Sequence, residues 1–504
     1  MVSLLRRVVA RMLVVIQVGQ AGNLVGAVFW QIVSQALPCP SLVRAGVASQ
    51  PTARCVLIDS DPRAVAAAQT EPLLAGCALV TAQNGRFGCW ARGYSGDTST
   101  SAERSLLSRS LAAIRKEVER CSSAPDILVL HGLAGGTGGG FACRLLEALR
   151  SAFSELFLCS AALLPLGCGC SSLSAPLGFA LCLQFLQCYC DGVLLLNSED
   201  ALTQLEKAER DKGVAQPRAA FSDVNRVLAS QLAAVFLPAP LITLDGSNVG
   251  SSTASTSLAT SSSGGWPLRS LVSVVCPHPS LKFVEVRQQV APAAAAFDAE
   301  GPAWASVASA LSGSAPRRVD AASDEDNGRW GRRSAAGLVV TASSAPLVKQ
   351  RVHTATATAF VLRGVGSAAP ARGGSAAAPP PSPLTTAASS VVKHFETPGV
   401  WPLAAGLSGG GGGGGSLSSG ACVARATTAR LPGAASQRVL TLVSNRSTAI
   451  GHVARGCAGG ERLLAAGAVR STPITVSCIV AACLTWFPAS AAVWVRVFSG
   501  GRGA

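Results

Sequence analysis

At 504 residues the chain can bury at least one large core, and its length allows two to three domains. Hydrophobic residues make up 49% and charged residues 14%, a globular composition padded by Ala, Gly and Ser. The net charge of +15 raises nucleic acid as a partner, but the arginines are scattered, aromatics are 5% and no basic stripe with interleaved aromatic residues occurs, so nucleic-acid binding is set aside. Seventeen cysteines form neither a dense disulfide framework nor a metal-ligand spacing: Cys168 and Cys170 are two apart, as are Cys188 and Cys190, and no C-x-x-C occurs. With the five histidines isolated as well, the expectation is buried, reduced thiols in a cytosolic protein and no zinc site.

In chain order, Arg6, Arg7 and Arg11 amid Leu and Val could be taken for a targeting peptide. Leu13 to Gln17 then reads as a strand, followed by the glycine turn Gly19-Gln20-Ala21-Gly22-Asn23 and a helix running to about Gln35. A second edge, Cys55-Val56-Leu57-Ile58, delivers Asp59 and Asp61 at its C-terminal end. Leu107, Leu111, Ile114 and Val118 repeat at helical spacing, which predicts an amphipathic helix over Ser101 to Cys121 with Lys116 and Glu119 outward. The apolar strand Ile127 to Leu130 runs into His131-Gly132-Leu133-Ala134-Gly135-Gly136-Thr137-Gly138-Gly139-Gly140, which opens the helix-like segment Phe141 to Phe153. Leu156 to Leu164 and Val193 to Leu196 read as buried strands. Val224, Val227, Leu228, Leu232 and Val235 mark the helix that links this domain to the next. Such β-α alternation calls for a parallel sheet with helices on both faces.

After Pro238 the texture changes. Ser251 to Gly265 is Ser/Thr/Gly-rich, Gly366 to Ser390 is Ala/Pro/Ser-rich, and the stretch 404–420 contains the unbroken glycine run Gly409 to Gly415; these read as inserted loops or linkers that cannot bury enough surface to offset their ordering entropy. Leu271 to Val286, Val352 to Arg363 and Val439 to Val443 look like pieces of a second, smaller α/β domain. The expected division is residues 12–238, 239–446 and a C-terminal region 447–504. Within the last, Ile474 to Phe498 is apolar enough to suggest a membrane span, but Pro488 interrupts it and Arg496 lies near its end, so no membrane partner is expected.

The chemistry sits on the glycine turns. Without Cβ atoms, Gly135, Gly136, Gly138 and Gly139 let several backbone N–H groups point at one anion, the helix behind them adds partial positive charge, and Thr137 supplies a hydroxyl; a bare flexible loop is the alternative. In an open parallel sheet such loops converge at the carboxyl ends of successive strands. Asp59 and Asp61 at that end suit Mg²⁺, although they could instead cap the helix after Pro62. No Gly-Lys-Ser/Thr follows either turn, so neither is a Walker motif, and neither has the three spaced glycines and distal acid of the dinucleotide fingerprint.

The ordered set resembles the tubulin superfamily, whose signature of a small residue, two glycines, Thr, Gly, Ser or Ala, and Gly is matched by Ala134 to Gly140, with Gly139 departing from the usual Ser or Ala. The resemblance sharpens toward the delta branch, where Ile114 to Cys121, Phe221-Ser222-Asp223-Val224-Asn225-Arg226-Val227-Leu228-Ala229, Pro277-His278-Pro279 and Val361-Leu362-Arg363-Gly364 recur in order. It implies an α/β fold: a Rossmann-like, parallel-sheet GTPase domain, a central helix, a smaller α/β domain and C-terminal helices, here degraded. It places Met12 at the start of the first strand, so that residues 1–11 read as an upstream extension or a misassigned start, and it makes a misread exon or frame the expectation for the segment after Ser471.

By the same resemblance the ligands are GTP or GDP with Mg²⁺. Gln20 and Asn23, within the turn Gly19, Gln20, Ala21, Gly22, Asn23, would lie over the α/β-phosphate and metal region; Asp59 and Asp61 would hold the metal through water; Ala134 to Gly139 would wrap the phosphates; and Phe221 would stack on the guanine whose edge Asn225 reads. For Phe221 the alternative is an ordinary core aromatic. Departures argue for looser binding: Gly88-Cys89-Trp90 stands where the family has two amides before Trp, Ala175 replaces a ribose-contacting acid, and Glu199 replaces a second base-reading amide. Each lost hydrogen bond costs about 0.5 to 1.5 kcal/mol. Ser270 stands where polymerising tubulins present the carboxylate that activates a neighbour's water, and a hydroxyl cannot supply that charge or basicity.

The expected role is a GTP-binding cytoskeletal protein of cytoplasm, centriole or basal body, working with other tubulins or the microtubules of those structures in forming or maintaining triplets. A degenerate tubulin that keeps the fold without the ligand is the alternative. A free-standing nucleotide-dependent enzyme ranks lower, because no paired acid and base, no Ser/His/Asp order and no dinucleotide fingerprint is found.

Overall fold

The computed structural model describes residues 11–46, 50–66, 68–83, 85, 88–96, 105–166, 175–211, 213–214, 219–239, 241–242, 267–276, 281–291, 301–313, 355–365, 383–396, 422–427, 430–432 and 438–446. The expectations for residues 1–10, 251–265, 404–420 and 447–504, and for Pro277-His278-Pro279, lie outside these described residues. The strands are β1 (Leu13–Val18), β2 (Val43–Ala45), β3 (Pro51–Ala53), β4 (Cys55–Asp59), β5 (Ala78–Thr81), β6 (Asp126–Gly132), β7 (Leu158–Leu164), β8 (Gly192–Asn197), β9 (Leu241–Ile242), β10 (Phe283–Val290), β11 (Ala355–Arg363), β12 (Cys422–Thr427) and β13 (Val439–Arg446). The helices are α1 (Gly19–Ser34), α2 (Pro62–Ala66), α3 (Trp90–Ser95), α4 (Leu106–Glu119), α5 (Ala142–Ala152), α6 (Ala175–Tyr189), α7 (Ser198–Asp211), α8 (Phe221–Phe236), α9 (Leu268–Val275), α10 (Gly301–Gly313) and α11 (Pro383–Glu396).

All strands except the β2–β3 ribbon join one sheet in the order β5-β4-β1-β6-β7-β8-β10-β13-β11-β12-β9. From β5 to β10 every pairing is parallel; β10–β13, β13–β11 and β12–β9 are antiparallel. The α/β expectation therefore holds, and its cause lies in the side chains. Leu13, Val15, Leu128, Leu130, Ala161 and Leu194 feed a core under α1, α8 and α9, while Val14, Ile16, Ile127, Val129, Ala162 and Val193 feed another under α4, α5 and α6. With both faces covered, the central strands read as near-continuous apolar runs instead of alternating, with a few buried polar residues such as Gln17, His131 and Ser160.

Two segments depart from the sequence expectation. Helix α4 begins at Leu106, capped by the Ser105 hydroxyl, which accepts the Ser108 N–H at 3.1 Å. Its buried face is Leu106, Ser110, Ile114 and Glu117; Lys116 and Glu119 are exposed, but Glu117 is enclosed between Arg44 Nε at 3.0 Å and Arg120 Nη1 at 2.9 Å. Of the Ala/Pro/Ser-rich stretch Gly366 to Ser390, expected to be an inserted loop or linker, residues 366–382 lie outside the described residues and Pro383 to Ser390 open α11. Proline suits a first helical position, and Ala387, Ala388, Val391, Val392 and Phe395 pack at helical spacing on Trp304, Leu311, Phe360 and Leu442.

The C-terminal end of α8 is held from the other half of the chain. Arg363 of β11 is buried and donates from Nε and Nη2 to the Ala234 carbonyl (3.0 and 2.9 Å), from Nη2 to Leu237 (2.6 Å) and from Nη1 to Pro238 (3.1 Å). A guanidinium there satisfies carbonyls that a helix end leaves open and complements its partial negative charge. Burial draws its pKa down to about 10, still charged at neutral pH. Arg425 of β12 adds a bond to the Ala239 carbonyl at 2.7 Å. Among the described residues no helix is long and apolar enough to cross a membrane.

Candidate functional site

The strand order makes β1 the switch point. From β1 the chain moves outward to β4 and β5, then returns to β6 on the other side, so the loops leaving β1 and β6 meet at the carboxyl ends of neighbouring strands, where open α/β sheets take their ligands. Gly19 takes φ +76° at the end of β1, and a Cβ on it would lie 2.7 Å from the Gly138 nitrogen. A Cβ on Gly22 would overlap the Leu130 carbonyl. The two glycine turns thus pack backbone against backbone, which only glycine allows.

Side chains fix this junction. Asn23 is buried and donates from Nδ2 to the carbonyls of Gly19 (3.0 Å) and Ile58 (3.1 Å), tying the first turn to the end of β4. The Ser60 and Thr137 hydroxyls meet at 2.5 Å, tying that same strand end to the second turn. Asp59, 3% exposed, accepts the Asp61 N–H on Oδ1 at 3.1 Å, and burial lifts its pKa above the ordinary carboxylate range. Asp59 Oδ2 and Asn23 Oδ1 are both buried without a protein partner.

Asp61 lies elsewhere. It is an exposed carboxylate whose Oδ1 accepts the backbone N–H of Arg63 (3.0 Å) and its Nε (3.2 Å), while Oδ2 accepts Nη2 (3.0 Å); the Arg63 side chain holds its pKa below the usual range. The capping alternative therefore describes Asp61, at the start of α2, and not Asp59. No group of three or more His, Cys, Asp or Glu among the described residues is placed to hold a metal ion. A cation at Asp59 would need oxygens from water and from a phosphate, which is the habit of Mg²⁺.

The second turn leaves β6 through Gly135 at φ +99° and winds as a π-helical turn, Gly136–Phe141, into α5. Such turns are uncommon and gather at functional sites. Helix α3 presses on it: a Cβ on Gly93 would overlap the Gly136 carbonyl, and one on Gly140 the Trp90 carbonyl. The Trp90 ring stacks on Tyr94 with centroids 5.0 Å apart. Beneath the turn His131 is fully buried, with Nδ1 2.8 Å from the Gly138 carbonyl and Nε2 2.8 Å from Ser160 Oγ. His131, Ser60 and Ser160 were not assigned from the sequence. The usable signal was a polar side chain within or at the end of an otherwise apolar strand, which must find a partner when buried.

Phe221, at the first position of α8, is 75% exposed and so is not a core aromatic. Asn225 follows one turn later on the same side of the helix, half-buried. Of the departures, Cys89 precedes α3 behind Gly88 at φ +67°, Ala175 is the buried first residue of α6, and Glu199 lies on α7, its N–H donating to Asn197 Oδ1 at 3.0 Å. Ser270 is exposed on α9, its carbonyl accepting the Ser273 hydroxyl at 2.9 Å.

The family model "Tubulin/FtsZ family, GTPase domain" matches residues 12–205. Over 303 residues, 55% of this chain and 60% of the relative, the sequence is 29% identical to the tubulin delta chain of Homo sapiens, and over the same span 28% identical to that of Macaca fascicularis. It is 26% identical to the tubulin beta chain of Porphyra purpurea over 245 residues, 45% of this chain and 51% of that one. The matches thus span between half and three fifths of these relatives. Residues 12–205 are thus similar to the GTPase domain of the Tubulin/FtsZ family, and the chain that carries them is similar to tubulin delta chains.

Proposed function

We propose that the crevice at the ends of β1, β4 and β6 binds GTP or GDP with Mg²⁺, and that the chain serves as a delta-tubulin-like subunit that works with other tubulins or microtubules at centrioles and basal bodies. The observation that carries this reading is the contact of two glycine turns beside a buried carboxylate with one oxygen that has no protein partner. In it, Gly135, Gly136, Thr137, Gly138 and Gly139 offer N–H groups to the phosphates, Gln20 and Asn23 lie over the metal region, and Asp59 meets the metal through water. Asp61 contributes field and not a free oxygen, since both of its oxygens are held by Arg63. Bound Mg²⁺ would offset phosphate charge. Residues 12–238 would carry the nucleotide and 239–446 the second domain.

Ser270 supports the view that this subunit does not stimulate a neighbour's hydrolysis, because no carboxylate stands between Gly246 and Phe283. The test is nucleotide content: protein purified gently in Mg²⁺, denatured and chromatographed should release guanine nucleotide near one per chain. A folded protein without nucleotide, and silent to GTP and GDP by calorimetry, would favour the degenerate reading, to which the buried Ala175 at a ribose-contacting position lends some weight. Cosedimentation with doublet and triplet microtubules, against singlets, checks the cytoskeletal role.

Phe221 gives a sharper expectation. A base stacked on an aromatic ring is worth about 1 to 3 kcal/mol. Phe221→Ala should weaken GTP binding about tenfold by titration calorimetry and leave the melting temperature in place, because a side chain 75% exposed contributes little to the core.

A further inference from the structure

We propose that His131 is a positioning residue for the phosphate-facing turn, acting through one fixed tautomer: Nδ1–H donates to the Gly138 carbonyl while Nε2 accepts the Ser160 hydroxyl. This rests on the nucleotide reading of the crevice. A carbonyl cannot donate, so the proton between Nδ1 and Gly138, 2.8 Å apart, belongs to the imidazole; the Gly132 carbonyl, 3.2 Å from the same nitrogen, adds to that demand. The ring is fully buried, and its three contacts are two carbonyls and a hydroxyl, all neutral. Burial favours the uncharged ring and moves its pKa below the ordinary value. A neutral ring protonated on Nδ1 leaves Nε2 as an acceptor, and Ser160 on the neighbouring strand β7 fills that role.

The consequence follows from the planar trans peptide. Turning the Gly138 carbonyl down onto the imidazole turns the Gly139 N–H of the same unit away from it, off the buried strands. Four glycines in the run Gly135 to Gly139 leave the backbone many conformations, and a turn that must be ordered by its ligand binds more weakly than one already ordered. His131 selects one conformation before the ligand arrives. It touches neither ligand nor reacting atoms, so its effect should be on affinity.

The experiment compares His131→Leu, which removes the donor at similar size, His131→Asn, whose amide N–H can replace Nδ1–H, and Ser160→Ala, which frees the tautomer. Titration calorimetry with GTP should show at least a tenfold loss in H131L, recovery to within about threefold of wild type in H131N, and an intermediate loss in S160A, each folded by near-UV dichroism. Nitrogen NMR of wild type, assigned by loss of the signal in H131N, should show the proton on Nδ1. Equal binding by folded H131L, no recovery in folded H131N, or a proton on Nε2 would overturn the inference. If H131L does not fold, the tautomer and S160A still decide it. Wild-type protein that binds neither GTP nor GDP would remove the nucleotide reading and this inference together, whereas tight wild-type binding with unaffected variants removes this inference alone.

Discussion

Asp59→Asn is expected to raise the stability of the ligand-free protein and to lower its Mg²⁺-dependent affinity for GTP by about a hundredfold, roughly 3 kcal/mol. Both effects come from one oxygen. Asp59 Oδ2 is buried without a protein partner, and burial lifts the carboxyl's pKa. An acid whose pKa is raised by folding binds its proton more tightly in the native state, so its contribution to stability is full at low pH and is lost as pH climbs through the raised value. Once ionised, the wild-type carboxyl places a charge in buried surroundings. An amide has no such charge, retains an acceptor for the Asp61 N–H, and should gain about 1 kcal/mol. Melting curves should show D59N above wild type at pH 7, with the gap closing toward pH 4. What the amide cannot do is face a hydrated cation with negative charge. If D59N melted lower at pH 7 and bound GTP–Mg²⁺ as wild type does, Asp59 would be an ordinary structural carboxylate.

Arg363→Met is expected to destabilise the protein by about 3 kcal/mol, read as a shift in the urea midpoint. The substitution keeps the volume but strands the buried carbonyls of Ala234 and Leu237, each costing about 1 to 3 kcal/mol when unpaired, and leaves the half-buried Pro238 carbonyl without its donor. Part of that is returned, because a buried guanidinium whose pKa is drawn down to about 10 was itself costly. Arg363→Lys should recover little, since an ammonium is a point donor and cannot hold two sides of a helix end at once. Arg63→Met is the control: its side chain is 91% exposed and pairs with a surface carboxylate, so its loss should stay within about 0.5 kcal/mol.

These two residues show what could be read from the sequence. The strands β1, β4 and β6 announce themselves as continuous apolar runs because helices cover both faces of the sheet, and the glycine turns stand out because nothing else tolerates such backbone contact. Which acid does what was not legible: Asp59 and Asp61 are two residues apart, yet one faces inward at the end of β4 and the other caps α2. Periodicity did not single out Glu117, whose arginine partners are Arg44, far away in sequence, and Arg120, one turn on. Arg363 belonged to a recognisable motif, but its partners lie about 130 positions upstream, a relation set by the sheet order. Helix α11 was hidden because Ala, Ser and Thr spell a linker until Val391, Val392 and Phe395 supply the apolar face.

Trp90 turns the crevice into its own optical gauge. Its carbonyl abuts Gly140 while its indole lies flat on Tyr94, so any ligand that shifts the π-helical turn must also change the surroundings of a fluorophore. The emission of wild type minus that of Trp90→Phe isolates this ring from the other seven tryptophans. Nucleotide arrival could then be followed in real time with no label attached to the guanine.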